Sequence, residues 1–171
     1  MADKLKVLSC LCILLAVQSH AEGRQKTTRV ASKGETTLTA TSGTTTINVT
    51  IYTHELRTPS RDRGNPRQPD SNCVDSRMPC SIVDSIRIIK NGNPVFVFRS
   101  VYADLGDLND AELTIGKEIS TLRLSAGDGA EGYFVKIEFD DESVQRRTVG
   151  GAIDFSEPNE QTVYHVVTFD D

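Results

Sequence analysis

Beyond its first 21 residues the chain has no apolar run long enough to cross a bilayer as a helix. No stretch carries a long amphipathic stripe at helical spacing, which argues against helical architectures. Histidine is scarce. Only His54 and His165 follow residue 21, each within or at the end of a strand-like pattern, where a structural role is the ordinary one. There is no Gly-x-Ser-x-Gly, so an activated serine has no motif behind it. Carboxylates are plentiful, but a glycosidase pair is defined by separation in space, which spacing along the chain does not supply. The chain therefore reads as non-enzymatic and without a cofactor. A small hydrolase that depends on His165 is one rival reading.

The ends and the charges say more. Residues 1–21, MADKLKVLSCLCILLAVQSHA, set Lys4 and Lys6 before an apolar run over 7–17 and finish in Ser19-His20-Ala21. This is the pattern of a secretory signal peptide cleaved after Ala21. Leu8 stands where a lipoprotein would need a small residue ahead of Cys10, which argues against lipidation. The expected location is periplasmic or secreted, and the remaining length suits one domain. Two of the four cysteines leave with the leader; in an oxidising compartment Cys73 and Cys80 make a disulfide the default expectation. So small a ring contributes at most about 2–3 kcal/mol and pins a loop rather than the fold. Residues 22–99 hold 12 Lys and Arg against 7 Asp and Glu, and residues 100–171 hold 5 against 16, balances of +5 and −11. The acidic half disfavours nucleic acid and favours a basic partner.

Residues 22–35, EGRQKTTRVASKGE, are polar and aperiodic and read as a flexible arm, with a single β domain over 36–171. Ile47, Val49 and Ile51 alternate with Asn48, Thr50 and Tyr52, the period of a half-buried strand. Residues 57–80 carry four prolines, five arginines and both mature cysteines, the composition of a long surface loop. A hairpin follows, with 81–90 and 94–99 flanking Asn91-Gly92-Asn93. Pro94 confines its second strand to an edge or to the turn. Residues 102–113, YADLGDLNDAEL, read as a turn-rich connection with one short helical turn, and strand patterns resume at 119–125, 133–140, 144–149 and 161–169. Seven to eight short strands, mostly antiparallel, predict an all-β sandwich or open barrel. Asn48-Val49-Thr50 is a glycosylation acceptor if the chain passes through a eukaryotic secretory pathway.

The chemically suggestive stretch is 124–134, LSAGDGAEGYF. Gly127, Gly129 and Gly132 have the spacing Gly-x-Gly-x-x-Gly, but a strand pattern follows where the dinucleotide fingerprint needs a helix. The lysine of a P-loop is missing, and Asp128 and Glu131 would repel phosphate. Asp104, Asp107, Asn109 and Asp110 invite a calcium reading. Counted from Asp107 as an EF-hand loop, however, Ala111 takes the fifth position and Glu112 replaces the glycine at the sixth.

An exported β-rich chain in which a strand runs into Ser125-Ala-Gly-Asp-Gly and leaves through Gly132-Tyr133 resembles bacterial periplasmic lysozyme inhibitors and related β-sandwich immunity proteins. The resemblance covers roughly residues 82–139, through SIRIIKNGNPVFVF, ADLGDLNDAEL and LSAGDGAEGY. MPCSIVDSIRI and TVYHVVTFDD are similar to small exported bacterial proteins of no assigned function. The first likeness implies a loop that plugs the cleft of a basic, lysozyme-like, peptidoglycan-cutting enzyme. Ser125, Gly127, Asp128, Gly129, Glu131 and Tyr133 would be its contacts, with Tyr133 as an aromatic anchor at the rim. The chain departs from the family where Ala111-Glu112 follow DLND in place of the expected Asn-x-Asp-Gly turn, which leaves a shared metal site unsupported. The rival from another class is a structural or adhesive envelope component. A thermal melt with millimolar calcium is expected to leave the melting temperature unchanged; a rise would restore the metal reading.

Overall fold

The computed structural model describes residues 27–56, 79–129, 132–151 and 158–166. The signal-like leader, Cys73, nearly all of the 57–80 loop, Ala130 and Glu131 lie outside the described residues. The architecture is all-β, two antiparallel sheets consistent with a sandwich. The strands are β1 (Thr27–Arg29), β2 (Gly34–Ser42), β3 (Thr45–Leu56), β4 (Cys80–Lys90), β5 (Asn93–Val95), β6 (Leu108–Thr114), β7 (Ser120–Ala126), β8 (Tyr133–Phe139), β9 (Val144–Gly151) and β10 (Glu160–Val163). One sheet runs β1-β6-β7-β8-β9-β10 and the other β2-β3-β4-β5. Among the described residues no helix is long and apolar enough to cross a membrane.

Alternation builds the core. Leu38, Ile47, Val49, Ile51, Ile86 and Ile88 face inward from the smaller sheet, and Leu122, Leu124, Val135, Ile137 and Phe139 from the larger. Burial of each large aliphatic side chain contributes about 1.5–3 kcal/mol. Two tight turns set the register of the smaller sheet. Asn91 and Gly92 both have positive φ (53° and 84°), the requirement of a type I′ turn, and close β4 onto β5. Gly43 alone, at φ 57°, supplies the first position of a type II′ turn between β2 and β3.

Three expectations from sequence change. The connection expected over 102–113 contains β6, whose inward residues Leu108, Ala111 and Leu113 skip a step where a bulge leaves Asn109 as an extra residue. The expected arm over 22–35 contains β1 and the start of β2, because two polar threonines and an arginine suffice for an edge strand in which only Thr28 is half-buried. Of the last strand pattern, read over 161–169, β10 takes the part up to Val163, 164–166 are outside any strand, and 167–169 lie outside the described residues. Among the described residues there are ten strands where seven to eight were expected.

The sheets are joined where the chain passes between them. After β5, Phe96 leaves the smaller sheet, its N–H donating to the carbonyl of Glu142 (2.7 Å) while Val144 N–H donates back to the Phe96 carbonyl (2.9 Å). The chain returns along β4, with Val83 N–H donating to the Leu105 carbonyl (3.0 Å) and Asp107 N–H to the Ser81 carbonyl (2.7 Å). Asp107, buried and at φ 50°, then turns the chain into β6, and its carboxylate accepts the Ser81 N–H (2.9 Å). Tyr133, at the start of β8, clasps this crossing from the far sheet. Its hydroxyl donates to the Gly106 carbonyl (2.6 Å) and accepts the Gly106 N–H (3.0 Å). A further link between the sheets is the ion pair of buried Lys90, at the end of β4, with Asp141 in the β8–β9 connection.

Burial pushes the Tyr133 phenol well above the ordinary tyrosine value; its hydrogen bond to Gly106 opposes the shift, and the nearby charges of Asp104 and Asp107 add to it. An unfolded phenol ionises near pH 10 while the folded one stays protonated, so the unfolded state gives up its proton first. The native state should therefore lose stability as pH rises above about 10. Tyr133→Phe should cost about 1–3 kcal/mol in denaturant melts at neutral pH, because Gly106 is left with unpaired polar groups, and it should remove part of the alkaline sensitivity.

Candidate functional site

The β7–β8 connection is built on that crossing. Ala126 pairs with Tyr133 as the two strands end. Gly127 is buried at φ 71°; its N–H donates to the Asp107 carbonyl (3.0 Å) and its carbonyl accepts the Asn109 side-chain amide (2.6 Å). The bulge in β6 is what sends Asn109 there rather than into the ladder. Gly129, at φ 49°, turns the chain again and accepts the Gly132 N–H (3.2 Å). Asp128 and Gly129 are exposed. The loop thus has a base held by backbone and amide hydrogen bonds and a solvent-facing tip.

The expected contact residues divide into different places. Asp128 and Gly129 are at the tip, and Gly127 is part of the base. Tyr133 is not a rim anchor. Only 8% exposed, it is the core residue that grips Gly106, since the alternation of β8 turns its ring inward with Val135 and Ile137. Ser125 sits within β7, opposite Asp110 and Phe134, on the outer face of the larger sheet. There it lines a groove of about 310 Å³ with Thr27, Asp110, Glu112, Arg123 and Phe134. In this groove Thr27 donates to the Glu112 carboxylate (2.7 Å), and the Arg123 guanidinium lies 5.9 Å from the centre of the Phe134 ring. The groove and the tip lie at the same end of β7.

The four residues considered for calcium are dispersed. Asp104 binds Arg147, Asp107 holds Ser81, Asn109 holds Gly127, and Asp110 faces the groove. Among the described residues no group of three or more His, Cys, Asp and Glu side chains is arranged to hold a metal. Cys80 is buried at the start of β4, and its expected partner Cys73 is outside the described residues.

Two polar arrangements went unread in the sequence. Arg147 is 3% exposed and points inward from β9, where its two terminal nitrogens donate to Asp104 (2.6 Å) and Glu160 (2.5 Å). Consecutive arginines in a strand pattern were the available signal, because alternation turns one of them toward the core. On the outer face of the smaller sheet His54 Nδ1 lies 2.6 Å from the Asp84 carboxylate. A bulge in β4 opposite Tyr52 and Thr53 brings Asp84 to it, and the three-residue step from Val83 to Ile86 in the inward pattern was its trace. His165 is exposed just after β10.

No protein-family model, curated protein or solved structure matches this chain. Gly127→Ala should destabilise the fold by about 1–2 kcal/mol, because the position is buried and its φ is positive. Asp128→Ala, at the exposed tip, should stay within about 0.5 kcal/mol of the parent. Chemical denaturation of the two variants side by side measures the contrast.

Proposed function

We propose that this is an exported, non-enzymatic binding protein that inserts its 125–133 loop into the active-site cleft of a basic, peptidoglycan-degrading enzyme, as an inhibitor or immunity protein. The observation that carries the reading is the exposed Asp128-Gly129 tip on a base fixed by Gly127 and Tyr133. A loop whose base is held in place loses less conformational entropy on docking, which is the usual advantage of such plugs. Asp128 meets positive charge in the cleft, backbone amides around Gly129 serve as donors to catalytic carboxylates, and the groove with Ser125 and Phe134 rests against the cleft wall. Tyr133 acts only by holding the loop. The excess of acid in residues 100–171 speeds encounter with a basic enzyme, an effect that weakens as salt rises.

The test is inhibition of peptidoglycan hydrolysis by a panel of basic lysozyme-like enzymes, with binding kinetics at several salt concentrations. The protein should inhibit at least one of them. Asp128→Lys, with Gly127 and Tyr133 retained, should weaken inhibition by roughly tenfold or more and leave the melting temperature in place. Inhibition undiminished in that variant, or absent from the parent across the panel, overturns the reading.

A further inference from the structure

We infer that β2 is a self-association edge, along which two copies of this chain join their smaller sheets into one continuous eight-stranded sheet. The four outermost strands of the two sheets differ in how far they are protected. β1 and β5 have three residues each and β10 has four, and short edges resist pairing. β5 also contains Pro94, and past its end the chain returns to pair with β4 at Ile82 and Gly106. β2 runs for nine residues in unbroken register with β3, and among the described residues nothing pairs with its other side. It carries no proline, lysine or bulge, the usual devices that blunt an edge.

The polarity of the edge follows from the turn. A two-residue loop, Gly43-Thr44, closes on the pair Ser42 and Thr45, which exchange both backbone hydrogen bonds. Counting back by twos, the even-numbered residues of β2 bond to β3. The N–H and C=O groups of Glu35, Thr37, Thr39 and Thr41 are left facing outward along the edge.

The occupant follows from charge and length. The net charge of −5 makes two copies repel overall, yet residues 36–42 are uncharged, so pairing along this edge sets no like charges against each other there. Antiparallel pairing of β2 with a second copy over its full length centres on Leu38. Thr37 then lies opposite Thr39 of the second copy, a favourable cross-strand pair, and Glu35 lies opposite Thr41 rather than another acid. Thr36, Leu38 and Ala40 continue the inner face across the seam, and Thr37, Thr39 and Thr41 continue the outer one. The seam runs along the smaller sheet, whereas the 125–133 loop joins β7 to β8 of the larger.

Sedimentation velocity of the purified protein from low micromolar to sub-millimolar concentration should show monomer converting to dimer. Over the same range hydrogen exchange at the amides of Thr37, Thr39 and Thr41 should slow. The double variant Thr37→Lys with Thr39→Lys sets lysine against lysine twice and should weaken the dimer by roughly tenfold or more. Thr37→Lys with Thr39→Glu sets opposite charges against each other in the same register and should restore it. A thermal melt of each variant separates loss of association from loss of folding. Monomer at every concentration overturns the inference, as does a dimer indifferent to the Lys/Lys change or not recovered by the Lys/Glu change.

Discussion

The hydroxyl of Tyr133 against both backbone groups of Gly106 is the contact on which the rest of the molecule hangs. Hydrophobic burial brings two sheets together but does not say how far one may slide over the other, because it is non-directional. Hydrogen bonds at a point where the chain passes between the sheets do say so. Gly106 belongs to the strand-like return along β4, Tyr133 to the middle of the six-stranded sheet, and Asp107 adds a second tie through Ser81. With these polar groups buried, releasing any one leaves others unpaired at a cost of about 1–3 kcal/mol each, so the junction behaves as a unit.

The same junction sets the loop. Gly127 donates its N–H to Asp107, the residue after Gly106, and accepts the side-chain amide of Asn109 in β6. The exposed tip is therefore positioned by the core, and the residue that looked most like a surface anchor is the one that does the positioning. This division between a buried support and a solvent-facing tip is what makes a binding role physically sensible for a loop with three glycines.

Charge is also sorted by the fold. The second half of the chain carries an excess of acid, but several of those carboxylates have local cations. Asp104 and Glu160 hold buried Arg147, Asp141 holds buried Lys90, and Glu138 lies between Lys136 and Arg146. An inward arginine in low dielectric needs such partners, since an unpaired buried cation is costly. Asp128 has a different setting, at the loop tip and exposed.

Alternation of Ile47, Val49 and Ile51, the Asn91-Gly92 turn and the absence of any helical stripe were enough for the sequence to determine an all-β architecture and most of its strands. These are local properties, written in residues two apart or adjacent. What only the tertiary structure decided was where alternation breaks and which polar residues the breaks bring together. The bulges at Asn109 and Asp84 each add one residue, which made β6 look like a turn and concealed the approach of Asp84 to His54. Whether Tyr133 faced water or core depended on the parity of β8 against a neighbouring sheet, and the role of Gly106 depended on a partner 27 residues away. Periodicity records which residues share a face. It does not record what lies opposite that face, because that is settled by packing between sheets distant in sequence.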